Sequence, residues 1–103
     1  MTNNKTTIEV KKLRTTTFGL MGKEKAYPIY FKTRFGIHTF FLKFSIDVVI
    51  LDNEKGVVKL VEHLSPNKFL FWNLKYNHVV ELPEGSIKRK GIVLGEKINL
   101  VTH

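Results

Sequence analysis

The chain has 103 residues, of which 43% are hydrophobic and 12% aromatic, a composition that suits one globular domain with one modest core and argues against extended disorder. It contains no cysteine, so disulfides, thiolate metal sites and cysteine nucleophiles are excluded. The net charge of +8 favours anionic partners such as nucleic acid, phosphorylated ligands or acidic surfaces.

The positive charge is concentrated in the first part of the chain. Residues 1–43 carry nine basic and two acidic side chains, whereas residues 44–103 carry eight basic and seven acidic ones. A basic face would therefore come mostly from the first part. The alternative, that lysines on strand edges block edge pairing and keep the domain soluble, is favoured because fourteen of the seventeen basic residues are lysines.

The first residues, Met1 to Thr7, contain no apolar run behind Lys5. We therefore expect neither a signal peptide nor a transmembrane segment, and a cytoplasmic location without membrane contact. No linker, internal repeat or low-complexity tract interrupts the chain. These features predict a single domain over residues 1–103, with an ordered core of about residues 6–102.

The first predicted elements are two strands with a short helix between them. Alternating apolar and polar residues predict a half-buried strand at Thr7–Lys11. Arg14–Met21 is compatible with a short helix that stops at Gly22. The β-branched and aromatic run Tyr27–Phe31 predicts a second strand, which the chain enters through Pro28.

The middle of the chain predicts the core. Ile37–Phe44 consists almost entirely of strand-forming residues, and Ile46–Leu51 is the nearly continuous apolar run expected of a strand covered on both faces. Asp52–Gly56 has turn chemistry, with Gly56 suited to positive φ. We expect Val57–Val61 to return antiparallel to the preceding strand as a hairpin.

The last part of the chain predicts three more strands and a helical turn. The strands are expected at Phe69–Leu74, Tyr76–Leu82 and Lys97–Val101, and the helical turn at Ser86–Arg89, closed by Gly91. Seven to eight short strands separated by Gly, Pro and Asn predict a mainly β fold, a small sandwich or barrel with one or two short helical turns.

Four segments resemble a known family, in the right order along the chain. They are Gly19–Gly22, a Gly-Leu-Met motif; Ile37–Asp52, the longest stretch; Val80–Gly85, similar to Leu-Glu-Leu-Pro-x-Gly; and Gly91-Ile92 with Gly95-Glu96, similar to Gly-x-x-x-Gly-Asp. Together these segments resemble domain-of-unknown-function family 192, a set of small prokaryotic domains. The resemblance spans about residues 7–101 and implies a compact, jelly-roll-like β domain without an assigned activity.

Ionisable residues inside the apolar Ile37–Asp52 segment suggest a candidate ligand site. A corner at Ser45, where the family usually has Pro, would bring Lys43 and Asp47 together. With His38 and Thr39 they would line a small polar pocket in which the lysine holds an anionic group. The favoured alternative is structural: a Lys43–Asp47 ion pair that pins the corner, with His38 hydrogen-bonded to the backbone.

The remaining chemical signals are weaker. The four histidines show no metal-ligand spacing, and neither Ser45 nor Ser86 has the context of a nucleophile, so we expect no metal, cofactor or catalytic serine. The aromatic cluster in residues 69–76 predicts core packing, although an exposed subset could stack on bases or sugars. The basic triplet 88–90 is expected to be a solvated face.

These observations favour a small non-catalytic binding domain with a polar pocket for an anionic ligand or partner. The alternative is a nucleic-acid-binding protein that uses a basic face and exposed aromatic side chains. A third hypothesis is a hydrolase or lyase that uses Lys43, Asp47 and His38.

Overall fold

The computed structural model describes residues 6–13, 20–34 and 36–103, which form eight strands and one short helix. The elements are β1 (Thr6–Lys12), β2 (Ile29–Lys32), β3 (Ile37–His38), β4 (Ile46–Leu51), β5 (Val57–Leu64), β6 (Phe69–Leu70), β7 (His78–Pro83), α1 (Ser86–Lys90) and β8 (Ile98–Thr102). The predicted mainly β fold of seven to eight strands is confirmed. Most of the predicted helix Arg14–Met21 lies outside the described residues.

Six strands form one mixed sheet in the order β5-β4-β7-β2-β1-β8. β1 runs parallel to both β2 and β8, and the other neighbours are antiparallel. The sheet curls so far that its two edges meet at one corner: the Val57 amide donates to the Glu96 carbonyl, and the Ile98 amide donates to the Lys55 carbonyl, each at 2.9 Å. The result is a half-barrel with its edge strands joined beside the β4–β5 turn.

Apolar residues cover both faces of this sheet. One core cluster combines side chains from both edge strands with Ile87 and Ile92, so it fills the inside of the curl beneath α1. The second cluster lies on the opposite face, where residues of β2, β4 and β7 pack beneath two segments, 37–44 and 65–77. All six residues of β4 are buried, as its continuous apolar run predicts.

The two covering segments are mostly loop, unlike the long strands predicted at Ile37–Phe44 and Phe69–Leu74. Only β3 and β6 pair, as a two-stranded antiparallel sheet. Thr39 interrupts the first strand because its hydroxyl accepts the Lys68 amide at 2.9 Å and donates to the Ser65 carbonyl at 2.7 Å. Phe41 then takes a left-handed backbone with φ of 66°, which a strand cannot accommodate.

The β4–β5 hairpin is confirmed, but with irregularities that shape the rest of the molecule. The left-handed residue in its turn is Lys55, with φ of 67°, and not Gly56. Two shifts of register show that β5 carries an extra residue opposite β4 near Val58 and again near His63. Such β-bulges redirect side chains and backbone amides, and both bulges border sites described below.

The helix α1 ends as predicted, at a left-handed Gly91 with φ of 67°. Its first turn has no side-chain cap, because Ser86 lies inside the helix and donates its hydroxyl to the Pro83 carbonyl. None of the described helices has the length and apolar content that crossing a membrane requires.

Candidate functional site

Asp47, one of the four predicted ligand residues, is fully buried on β4. Its Oδ1 accepts the His63 amide at 3.0 Å, and its Oδ2 accepts the Ile87 amide at 2.9 Å. The first contact depends on the bulge at His63, and the second satisfies a free N–H in the first turn of α1. The carboxylate therefore ties β4, β5 and α1 together.

Lys43 does not contact Asp47. Its amine lies 2.6 Å from a carboxylate oxygen of Glu24, and both side chains are exposed. In the described part of the chain no ion pair or hydrogen bond joins Lys43 to Asp47. The predicted contact at the Ser45 corner is therefore wrong, both as part of a shared ligand pocket and as a structural ion pair. The physical reason is that two backbone amides satisfy Asp47, whereas Lys43 lies at the surface, where an amine remains solvated.

His38 and Thr39 lie apart from Asp47, on the cover of the second core cluster. Thr39 is buried and joins the two covering segments through the hydrogen bonds to residues 65 and 68 described above. His38 is exposed, and its Nδ1 accepts the Phe40 amide at 3.3 Å, the backbone bond that the structural alternative predicts. Ligand contact by these residues stays a prediction.

The most conspicuous surface feature is a row of four rings on the cover, here called the aromatic ladder: His38, Phe40, Phe69 and Phe71. The ring centroids of His38 and Phe40 are 5.1 Å apart, those of Phe40 and Phe69 are 4.8 Å apart with edge-to-face geometry, and those of Phe69 and Phe71 are 5.9 Å apart and stacked. Phe69 is 60% exposed and Phe71 66%. The predicted exposed subset of aromatic residues is therefore present.

Strand alternation explains why these rings face outward. Leu70 and Trp72 point toward the sheet and pack in the second core cluster, whereas Phe69 and Phe71 point away from it. Tyr76 also packs inward, so the aromatic cluster predicted as core divides between core and surface.

The two covering segments that carry the ladder are basic. Residues 37–44 and 65–77 contain three cationic side chains and no acidic residue. These side chains are Lys43, Lys68 and Lys75, of which Lys43 pairs with Glu24 from outside the segments. Arg34 is held against the second segment, because its Nη1 donates to the Leu74 carbonyl at 3.2 Å. The cover therefore combines flat apolar rings with cations.

A buried carboxyl group, which the sequence analysis did not select, lies beneath this cover. Glu81 on β7 is 7% exposed and is flanked in the sheet by Ile29 and Val48. Burial among these apolar residues raises the pKa of Glu81 to about 7. The group can therefore exchange a proton near neutral pH.

A second buried polar group lies on the other face of β7. The Tyr30 hydroxyl and His78 Nδ1 are 2.6 Å apart, and His78 Nε2 is 3.1 Å from the Asn53 side-chain oxygen. Burial lowers the pKa of His78, and the charges of Lys55 and Lys32 lower it further. A neutral ring that accepts from Tyr30 and donates to Asn53 satisfies this geometry.

The sequence signal for these two groups differed. Glu81 stands inside an apolar run, the same criterion that selected Lys43 and Asp47, so the sequence contained a signal for it. His78 had none, because its partner Tyr30 is 48 residues away.

Comparison with known proteins places the chain in a family. The model of domain-of-unknown-function family 192, described as "Uncharacterized ACR", matches residues 1–100. A UPF0127 protein of the archaeon Pyrococcus abyssi is 36% identical over 91 residues, which cover 82% of this chain and 77% of that protein.

Two crystal structures have the same fold. One is a protein of unknown function from Novosphingobium aromaticivorans, with a TM-score of 0.75 and 18% identity over 85% of this chain and 71% of that one. The other is a proposed transcription regulator from Sinorhizobium meliloti, with a TM-score of 0.71 and 16% identity over 85% of this chain and 78% of that one.

Proposed function

The chain belongs to domain-of-unknown-function family 192, and we propose that it is a non-catalytic binding domain whose ligand is single-stranded nucleic acid. The observation that carries the proposal is the aromatic ladder, exposed on two covering segments that hold no acidic residue and three cationic side chains, of which Lys43 pairs with Glu24. Basic grooves with stacking platforms are the usual means by which proteins bind single strands.

The first support comes from the exposure of the phenyl rings. Phe69 and Phe71 lie two residues apart and present their side chains on the same outer face. Phe41 and Leu74, in the same two segments, are also largely exposed. Contiguous exposed apolar surface of this kind marks a binding site on a folded domain. Unpaired bases stack on such rings regardless of their sequence, because every base has a flat face.

The second support comes from the cations in the same two segments as the rings. Lys68 directly precedes Phe69, and Lys75 follows Leu74 in the same segment. Amines and guanidinium groups next to stacked bases neutralise the phosphates of the strand. A neutral partner protein would gain less from these cations than a phosphate backbone.

The geometry also favours binding over catalysis. A hydrolase or lyase built on Lys43 and Asp47 would need both groups at one reacting centre. Here the lysine pairs with Glu24 at the surface, and the aspartate accepts two backbone amides inside the core. Neither group is available to transfer a proton to a shared ligand.

The proposal is tested by fluorescence anisotropy with a labelled oligothymidylate at low and increasing salt. Phe69→Ala and Phe71→Ala should each weaken binding by about 5- to 150-fold, because one base–aromatic stack contributes about 1–3 kcal/mol. Leu94→Ala is the matched control, since Leu94 is equally exposed but lies between α1 and β8. Its affinity should equal that of the parent protein.

Charge and strandedness provide two further readouts. Lys68→Gln and Lys75→Gln should each lower the slope of log affinity against log salt by about 0.7, the value for one phosphate contact on a single strand. A duplex of the same length should bind more weakly, because its bases are already stacked. Absence of binding at low salt, or binding that the two phenylalanine substitutions leave unchanged, would exclude the proposal.

A further inference from the structure

A cavity of about 210 Å³, partly open to solvent, lies between the β4–β5 hairpin and residues 72–76. Its lining consists of Ile50, Val58, Lys59, Trp72, Asn73 and Tyr76. It is separate from the aromatic ladder, because Trp72 points toward the sheet whereas Phe71 points away from it.

The hairpin side of the cavity is made by the first β-bulge. Ile50 pairs with Lys59, and the next residue of β4 pairs with Val57, so Val58 is the extra residue. Consecutive strand residues ordinarily face opposite sides of a sheet. Here the bulge allows both Val58 and Lys59 to line one cavity.

The loop side of the cavity is held in place by its own hydrogen bonds. The Trp72 indole N–H donates to the Tyr76 carbonyl at 2.8 Å, and the Tyr76 amide donates to the Asn73 carbonyl at 3.0 Å. Lys75 also places its amine 5.8 Å from the centre of the Tyr76 ring. Two aromatic walls are therefore fixed before any ligand arrives, which lowers the entropy cost of binding.

We propose that this cavity binds a single aromatic ring that carries an anionic group, such as an aromatic carboxylate. A dry cavity of about 150 Å³ accepts benzene, so the volume here suits one ring with one substituent and is smaller than the pockets of about 300–1,000 Å³ that take larger ligands. The ring would contact Ile50, Val58 and the Trp72–Tyr76 walls. The Lys59 amine and the Asn73 amide would hold the carboxylate.

The charge of Lys59 is available for this role. Among the described residues, no acidic side chain lies within ion-pair distance of its amine. A cationic amine next to the Trp72 and Tyr76 walls would supply the charge that a carboxylate requires, while the rings contact the flat part of the ligand.

The test is titration with benzoate, followed by the fluorescence of Trp72, the only tryptophan of the chain. Benzoate should change the emission saturably and bind at least fivefold more tightly than benzamide, which lacks the charge, or cyclohexanecarboxylate, which lacks the flat ring. Equal binding of all three compounds, or no saturable change with benzoate up to millimolar concentrations, would overturn the proposal.

Variants then locate the site. Lys59→Met should weaken benzoate binding about tenfold and leave benzamide unchanged, whereas Lys88→Met, at an exposed position of α1, should change neither. Val58→Phe should fill the cavity and abolish binding of both compounds in a protein whose circular dichroism is unchanged. If that variant does not fold, the effect of Lys59→Met on benzoate binding decides whether the ligand occupies this cavity. Phe69→Ala should leave benzoate binding intact, because Phe69 belongs to the aromatic ladder and does not line the cavity. The benzoate result is therefore independent of the nucleic-acid proposal.

Discussion

The substitution Asp47→Asn tests whether the buried carboxylate holds the domain together. Asparagine has the same shape but only one acceptor oxygen, and its amide group presents N–H donors in place of the other. Asp47 accepts one amide from β5 and one from α1, so one of these two N–H groups would face another donor inside the core. The substitution therefore changes hydrogen bonding with almost no change in volume.

The expected loss of stability follows from these two contacts. A buried N–H left without an acceptor costs about 1–3 kcal/mol, and replacing a charged acceptor by a neutral one in the other bond costs about 1 kcal/mol more. The total is about 2–4 kcal/mol. For a domain of this size, that loss corresponds to a fall in melting temperature of about 10–25 °C.

Urea denaturation followed by tryptophan fluorescence and by circular dichroism measures this loss. Glu62→Gln is the matched control, because it removes the same charge from an exposed position of β5 next to the bulge at His63. The control should unfold like the parent protein. An Asp47→Asn variant as stable as the control would refute the assignment of Asp47 as a structural tie.

Three further predictions concern other groups. Burial raises the pKa of Glu81 from 4.5 to about 7, so the free energy of unfolding should fall by about 3 kcal/mol as the pH rises between these values. Denaturation of Glu81→Gln at pH 5 and pH 8 should show that this dependence on pH is abolished. The hydrogen bond that the His63 ring donates to the Glu84 carboxylate raises the pKa of His63, so an NMR titration should find this histidine titrating above 6.5 and returning toward that value in Glu84→Gln. Gly91→Ala should lower the stability of the domain by about 1 kcal/mol, because alanine is strained in the left-handed backbone conformation. Gly36→Ala should lower the stability more, as measured by thermal denaturation, because its new methyl carbon would also lie 2.6 Å from a carbonyl oxygen of β6.

Elements with local signals were predictable from the sequence. The apolar run of β4 is buried throughout, the turn after it forms a hairpin, and Gly91 ends α1 in the left-handed conformation. In each case the decisive interactions lie within a few residues of one another, so composition and order are enough to predict them.

The covering segments were not predictable in the same way. Ile37–Phe44 and Phe69–Leu74 contain strand-forming residues, yet each forms only two residues of strand. High β-propensity reflects packing on a half-buried pleated surface, and here the partner surface is missing beyond the short β3–β6 pair. Thr39 instead bonds to a segment 26–29 residues away, and several aromatic side chains remain exposed.

The criterion that selected the candidate site illustrates this limit at the level of single residues. An ionisable residue inside an apolar run satisfies its charge in one of three ways: it reaches solvent, it finds buried hydrogen-bond partners, or it shifts its pKa. Lys43 reaches solvent at the surface, and Asp47 accepts hydrogen bonds from amides 16 and 40 residues away. The pKa of Glu81 is shifted instead. The choice depends on bulges and helix ends brought together by the fold, so the sequence identified unusual positions but not their roles. The ladder and the cavity, which carry the two binding proposals, arise from the same long-range packing.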